Sequence, residues 1–311
     1  MNLPDFSVKK PKHGPRALPV PEPNEQEEGN LGVANPSISC YITAAGQALC
    51  LAGMGHGKST LAGFRNIRKE SVTTQKHHMR LLMLLVGAKG MADIAVGVTL
   101  FIGESLKTQW KYTTTTECTA HGNTLGDIAD AHDSFIVLPS DKDSVSLSVM
   151  IADWRKQCDA STLEVPLKAH NCDECESVPV TQTRVLRYKT PPAVVVFLRS
   201  NVYSAGVHHP PDLDGSSLAV GGEGHYSFVS VVYYGSNGIT SSKCGHYVTC
   251  SRNGVLFDDA TVRTLSDSER KSIDDEGVLP PNMCDPGLDK LVPYVYRPIM
   301  WVYKRQVNFL S

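Results

Sequence analysis

Apolar residues along this chain keep two different rhythms. From Cys40 to Leu51 they run with few breakers except Gly46, and from Gln75 to Val86 they set Met79, Leu82, Met83 and Val86 on one stripe. Both stretches are expected to be helices. Beyond about Val96 the runs become short, β-branched or aromatic, and bounded by turn residues: VGVTLFIG, FIVLP, TRVLRY, AVVVFLR, YSFVSVVYYG, HYVTCSR, GVLFDD and PIMWVYKR. Each reads as a strand. Helices first and strands afterwards is the layout of an α+β chain, not of an alternating βαβ one. Ahead of Leu31 the pattern fails altogether. Residues 1–30 hold a basic cluster (Lys9, Lys10, Lys12, Arg16), several prolines and an acidic run (Glu22, Glu25, Glu27, Glu28), with too few apolar residues to offset the entropy of ordering. They read as a disordered, solvated tail; the alternative for the basic cluster is a nuclear import signal.

The 311 residues suffice for one large domain or two small ones. A net charge of −2 gives no global pull towards nucleic acid or an anionic membrane, so neither is expected as a partner. The most apolar stretch, Leu81 to Gly103, is broken by Lys89 and Asp93, and a membrane span is not expected. The nine cysteines are an odd number, and the polar, proline-rich start does not have the form of a secretory leader. A reducing compartment, cytoplasm or nucleus, is expected, with the cysteines acting as thiols, ligands or nucleophiles.

Three of the polar residues form a candidate constellation for nucleophilic catalysis: Cys40, His246 and Asp258. A thiol nucleophile needs an imidazole to take and deliver its proton and a polar group to orient that imidazole. Cys40 follows a Pro-Ser-rich loop and opens a predicted helix, whose N-terminus favours the thiolate. His246 and Asp258 lie on two predicted strands joined at Asn253-Gly254, and an antiparallel pair brings such positions within side-chain reach. A second Gly-His-Tyr, at Gly224-His225-Tyr226, competes with Gly245-His246-Tyr247. Only His246 is followed by a strand ending in Phe257-Asp258-Asp259, so His246 is preferred and His225 is placed at the start of a strand.

Two further sets of residues carry metal-ligand spacing. Cys118-x-x-His121 and Cys172-x-x-Cys175 are short knuckles, each able to chelate from one tight turn, and together they complete a tetrahedral zinc set. Cys158 and His170 are lower-ranked substitutes. His77 and His78 are adjacent on a predicted helix, point in different directions and do not readily share one ion. AGMGHGKST, with Gly57, Lys58 and Ser59, meets a relaxed phosphate-loop pattern. A phosphate loop follows a buried strand, however, and what precedes this one reads as a helix.

From about Gly32 onwards the sequence resembles the ubiquitin-specific proteases. GVANPSISCYITAAGQAL keeps Gly32, Asn35, Cys40, Tyr41 and Gln47 of that family's cysteine box, departing at Ser37, Ile38 and Ser39, where the family has Gly-Asn-Thr. GHYVTCSRNGVLFDDATV keeps Gly245, His246, Tyr247, Phe257, Asp258, Asp259 and Val262 of its histidine box and lacks the tryptophan. RPIMWVYKR is similar to its closing strand, and TTQKHHMRLLMLL stands where the family has a Gln-Gln-Asp-Ala-His-Glu-Phe helix, with Lys76 and Met79 in place of the acids.

The resemblance implies a papain-like cysteine protease with a helical thumb (about 31–96), β-sheet fingers (about 97–130 and 163–190) and a palm (mainly 191–311). It implies deubiquitinase activity on ubiquitin or a ubiquitin-like modifier, by a chain expected to be monomeric. Cys40 would be nucleophile, His246 base, Asp258 its orienting carboxylate, Asn35 an oxyanion donor and Asp259 an assisting residue. Zinc between Cys118, His121, Cys172 and Cys175 would close the fingers, with His121 where the family usually has Cys. The competing readings are a ubiquitin-binding relative that has lost activity through the altered turn at Ser37–Ser39 and, further off, an NTP binder.

Overall fold

The computed structural model describes residues 31–36, 39–54, 60–85, 94–102, 110–118, 129–133, 136–138, 146–159, 161–166, 177–188, 192–198, 206–218, 224–236, 245–280 and 295–306. Four helices open it: α1 (Cys40–Leu51), α2 (Thr60–Ile67), α3 (Val72–Leu85) and α4 (Ile94–Ile102). The strands follow, as β1 (Trp110–Cys118), β2 (Ala129–Asp133), β3 (Ile136–Leu138), β4 (Ser161–Pro166), β5 (Ser177–Tyr188), β6 (Ala193–Leu198), β7 (Asp212–Asp214), β8 (His225–Ser236), β9 (Gly245–Ser251), β10 (Val255–Asp258), β11 (Thr261–Thr264) and β12 (Val295–Arg305). Three helices interrupt them: α5 (Leu147–Asp159), α6 (Gly215–Leu218) and α7 (Asp267–Glu276). None of the described helices is long and apolar enough to cross a membrane.

The strands form two sheets. The larger runs β11-β10-β9-β8-β12-β6-β3, with β7 added against β8; the smaller runs β2-β1-β5-β4. Both faces of the larger sheet are buried, which is why β6 and the middle of β12 read as unbroken apolar runs rather than alternating ones. Along β6, Ala193, Val195 and Phe197 enter the core shared with α1–α4, while Val194, Val196 and Leu198 enter a second core with Met150 and Ile151 of α5. On β12, Met300 and Val302 face the first core and Trp301 and Tyr303 the second. The pleat thus divides one continuous apolar string between two cores.

Helix α1 is buried at every residue from Cys40 to Cys50. It packs on β8 and β9, where Ser230 Oγ donates to the Ala48 carbonyl (3.2 Å) and Thr249 Oγ1 to the Ala44 carbonyl (2.9 Å). Two glycines let other elements approach closely. A Cβ on Gly46 would meet the Phe64 ring at 2.6 Å, and one on Gly97 would meet the Tyr41 carbonyl oxygen at 2.6 Å.

That last contact explains a correction. VGVTLFIG was expected to be a strand, yet Val96 to Ile102 lies in α4. A β-branched run that is apolar but for Thr99 has no periodicity to distinguish strand from buried helix; packing against α1, through Gly97, settles it. The order of helices first and strands afterwards also fails at α5 and α7, two polar helices set among the strands. The other predicted strands are present, and α1 has its expected bounds. Helix α3 carries the predicted stripe as far as Met83, with Met79 and Leu82 buried and Met83 packed against the core; Val86 lies outside the described residues. Leu81 and Leu84 of α3 are exposed.

The packing of α4 on α1 can be tested by two opposed substitutions. Gly97→Ala is expected to lower the melting temperature by several degrees, because overpacking against backbone costs about 1–3 kcal/mol. Gly63→Ala on α2, where an added methyl meets nothing within 4 Å, is expected to raise it, since Ala is favoured over Gly in a helix by up to about 1 kcal/mol. Thermal unfolding followed by circular dichroism reads both. A Gly97→Ala protein that melts at or above the wild type contradicts the close approach of the two helices.

Candidate active site

The β9–β10 hairpin delivers two of the predicted residues. It turns through Gly254, which has φ +73° and donates its N–H to the Ser251 carbonyl at 2.9 Å. The register pairs Leu256 with Cys250 and Phe257 with Thr249. Continuing it sets Asp258 opposite Val248, one diagonal from His246, within reach of a long side chain. His246 Nε2 and Asp258 Oδ1 are 2.5 Å apart, and each side chain is about a quarter exposed, 25% and 27%. Gly245 has its own reason. A Cβ there would run into the Tyr234 ring, which packs against Tyr247 at 4.7 Å between centroids.

Cys40 reaches the same point from the other side. It begins α1 and is 2% exposed, and its side chain hydrogen-bonds His246. Burial pulls the His246 imidazole towards neutrality. The hydrogen bonds to Asp258 and Cys40 and the charges of Asp258 and Asp259 outweigh it and push the imidazole up to about 10. The arrangement favours an imidazolium held between a carboxylate and a sulfur. Ser39, at the N-cap of α1, makes no side-chain cap. Its hydroxyl donates instead to Asn35 Oδ1 at 2.8 Å, and its backbone N–H to the same oxygen at 3.2 Å.

Asp259 joins the two halves. It occupies the left-handed region at φ 51°, uncommon for any residue but glycine and best tolerated by Asn and Asp. Its carbonyl accepts from Val33 N–H at 2.9 Å, its Oδ2 from Asn35 Nδ2 at 3.1 Å and its Oδ1 from Thr43 Oγ1 at 2.9 Å. Burial raises its carboxyl; His246, Asn35 and Thr43 act in the opposite sense. Gly32 lets the strand of chain before Asn35 slide under this turn, since a Cβ there would meet the Asp259 carbonyl oxygen at 2.6 Å.

The segment from Leu31 to Ala34 is also clamped from α1, α3 and the turn that follows α2. Gln47 Nε2 and Arg68 Nε both donate to the Leu31 carbonyl, at 2.7 and 3.0 Å. Gln75 accepts from Ala34 N–H at 2.8 Å through Oε1, while its Nε2 reaches the Gly32 carbonyl at 3.5 Å. Arg68 and Thr43 were missed at the level of sequence, and Gln47 and Gln75 were noted there without this shared role. Their signal is that they are polar residues buried at 4%, 2% and, for Gln75, 5%, where an unsatisfied group would be costly.

Of the predicted set, Cys40, His246, Asp258, Asp259 and Asn35 are thus brought together. His225 is not. It starts β8, whereas Gly235, ten residues on, is the residue paired with His246, so the two histidines are separated by about 33 Å of strand. His225 stands at the start of β8, where the sequence places it. His246, Asp258 and Asp259 also have the mutual spacing of metal ligands, with donor atoms within 4.8 Å of one another. Their oxygens, however, are already hydrogen-bonded to His246, Thr43 and Asn35.

Cys118 ends β1, and Cys158 lies on α5; His121, His170, Cys172 and Cys175 lie outside the described residues, as do Gly57, Lys58 and Ser59. The helix α1 preceding that glycine-rich stretch stands where a phosphate loop would have a strand. His77 and His78 have ring centroids 6.0 Å apart on α3.

No protein-family model and no curated protein sequence matches this chain. Solved structures do. The SAGA DUB module of Ubp8, Sgf11, Sus1 and Sgf73 bound to monoubiquitin is matched with a TM-score of 0.57 and 11% identity, over 92% of this chain and 71% of that one. The yeast SAGA DUB module carrying an Sgf73 variant is matched with a TM-score of 0.55 and 11% identity, over 91% and 70%. At 11% identity the likeness is one of fold: an α+β arrangement like that of the Ubp8 module, with helices against a mainly antiparallel sheet in which β3 and β6 run parallel.

Proposed function

We propose that this chain is a thiol-dependent deubiquitinase, cleaving the bond after the C-terminal glycine of ubiquitin or a ubiquitin-like modifier. The observation that carries the reading is His246 held between Cys40, at the start of a buried helix, and Asp258. In this reading the Cys40 thiolate attacks the glycine carbonyl. Asn35 Nδ2 and the Cys40 backbone N–H receive the developing oxyanion, an interaction worth ~3 kcal/mol of barrier per donor in related chemistry. His246, its Nε2 fixed by Asp258, gives its proton to the leaving amine. It then takes one from the water that hydrolyses the thioester, and breaking the C–S bond returns the Cys40 thiolate beside the imidazolium. The helical layer corresponds to the thumb, the larger sheet to the palm and the smaller to the fingers. The intact Cys40–His246–Asp258 set weighs against a relative that only binds.

Zinc fits the fingers at the level of backbone placement. Cys118 pairs with Val180, near the start of β5, and the β4–β5 hairpin closes at Pro166 and Ser177. The connection after β1, which carries His121, and the one between β4 and β5, which carries Cys172 and Cys175, therefore leave the same end of the smaller sheet. Bound by Cys118, His121, Cys172 and Cys175, the ion would have no open position and would serve to tie the two connections together.

Turnover of ubiquitin carrying a C-terminal fluorogenic amide tests the reading. Cys40→Ala is expected to abolish it, His246→Ala to reduce it at least ~10²-fold, and His225→Ala to leave it unchanged. Full turnover in Cys40→Ala sinks the assignment.

The pH profile follows from the raised imidazole. A group lifted by its partners keeps its proton, and the stabilisation that goes with it, below its ordinary value and loses both as pH rises through the folded one. The alkaline limb of the rate is expected near pH 10, from the value of about 10 for His246. In Asp258→Asn it should move to lower pH. An unmoved limb would show that Asp258 does not govern the imidazole.

Metal analysis of the purified protein is expected to give one zinc per chain. Cys172→Ser should lose it and become less soluble before turnover at Cys40 is affected. Active, well-folded protein with well under one zinc per chain removes the metal from the reading.

A further inference from the structure

Between the nucleophile helix and the histidine hairpin lies one buried hydroxyl whose partners are all in the site. Thr43 is 2% exposed, and its Oγ1 is 2.9 Å from both the Cys40 carbonyl and Asp259 Oδ1. Asp259 in turn holds Asn35 through its other carboxylate oxygen, and Asn35 Oδ1 is taken by the N–H and hydroxyl of Ser39. Ser39–Asn35–Asp259–Thr43 is thus a hydrogen-bonded chain that starts at the N-cap of α1, ends on α1, and passes through the segment 31–36, a strap across the site, and through the turn at Asp259 that follows β10.

We infer that Thr43 is a positioning residue for the oxyanion donor, acting on Asn35 through Asp259. The inference rests on the protease reading above. An asparagine amide has an acceptor end and a donor end of nearly the same shape, and only its partners decide which end faces the reaction. Here Ser39 offers two donors to Oδ1, and Asp259, as a carboxylate, offers an acceptor to Nδ2. The amide is therefore held with its nitrogen end towards Asp259. This holds only while Asp259 remains an acceptor. Its carboxylate is buried beside Asp258, with His246, Asn35 and Thr43 facing it. The single Thr43 hydroxyl proton is within reach of both the Cys40 carbonyl and Asp259 Oδ1, and the charged oxygen, which Asn35 does not satisfy, is the stronger acceptor. Without that donor, a buried carboxylate oxygen is left unmatched, and taking up a proton becomes the less costly state. A protonated carboxyl donates as well as accepts. With its proton on the oxygen that faces Asn35, it can bond the oxygen end of the amide, so that Ser39 alone is left to hold the amide's orientation and the fraction that presents an acceptor to an oxyanion rises.

Thiolate formation and oxyanion stabilisation can be read separately. Alkylation of Cys40 by iodoacetamide displaces iodide from carbon and develops no oxyanion, so it reports the thiolate–His246 pair alone. Hydrolysis of the ubiquitin C-terminal fluorogenic amide needs both. Thr43→Val keeps the shape and removes the hydroxyl. It is expected to lower kcat by at least about tenfold, short of the ~10²–10³ lost when a donor is deleted outright. KM and the alkylation rate should stay at wild-type values, and Thr43→Ser should restore kcat. Thr43→Ala serves if the valine variant does not fold.

A Thr43→Val or Thr43→Ala protein with wild-type kcat overturns the inference while leaving the protease reading intact. So does a parallel loss of kcat, alkylation and thermal stability, which marks a merely structural role. A wild-type chain that alkylates at Cys40 but does not hydrolyse the amide overturns the ubiquitin reading and the inference with it.

Discussion

Helix α1 lies between the larger sheet and three other helices, and its register is fixed by two hydroxyls. Thr249 and Ser230 reach from β9 and β8 to the carbonyls of Ala44 and Ala48, four residues apart and so on one face of the helix. Inside a core these bonds have no water to compete with them, and a helix rotated or shifted by one residue would leave both hydroxyls unsatisfied. Apolar packing alone would hold α1 against the sheet without specifying its rotation. Because Cys40 is the first residue of this helix, whatever sets the helix register also sets where the sulfur sits relative to His246, two residues before Val248 on β9.

The second anchor is the turn at Asp259. A left-handed residue at that point brings a main-chain carbonyl and both carboxylate oxygens to bear on three separate partners: Val33, Asn35 and Thr43. The adjacent residue, Asp258, is left to bond His246. Two neighbouring carboxylates thus do different work because the backbone turns between them. The acidic pair that closes this strand is a division of labour, with one carboxylate serving the imidazole and the other the strap that carries Asn35.

Parts of this were legible in the sequence and parts were not, for reasons that lie in range. His246 and Asp258 share one hairpin, so local alternation and the Asn253-Gly254 turn were enough to bring them together. Cys40 was legible because a helix start is a local feature. The strap was not. Its holders, Gln47, Arg68 and Gln75, come from α1, the end of α2 and α3, and nothing local to any of them announces a shared target. Helix α4 was misread for the opposite reason: in IAVGVTLFI the single polar residue, Thr99, is too little to reveal a period. Helix α7 had a readable signal, the Ser266–Glu269 capping box, in a stretch too polar to register as core-facing. For the fingers, Cys118 and the ends of β1, β4 and β5 give the placement, and the ligand set was legible only through its spacing.

Strand β12 comes last among the described elements, yet it lies in the middle of the larger sheet, between β8 and β6. During synthesis the two flanking strands must wait for it, and until residue 305 has emerged the sheet exists as two separate pieces with open edges. The cysteine helix rests on one core, and the histidine hairpin hangs from β8; both need the completed sheet as their common floor. Such long-range closure is slow, and the exposed edges invite wrong pairing meanwhile. The same topology means that a nascent chain can carry Cys40 for a long stretch of translation before His246 is in place beside it.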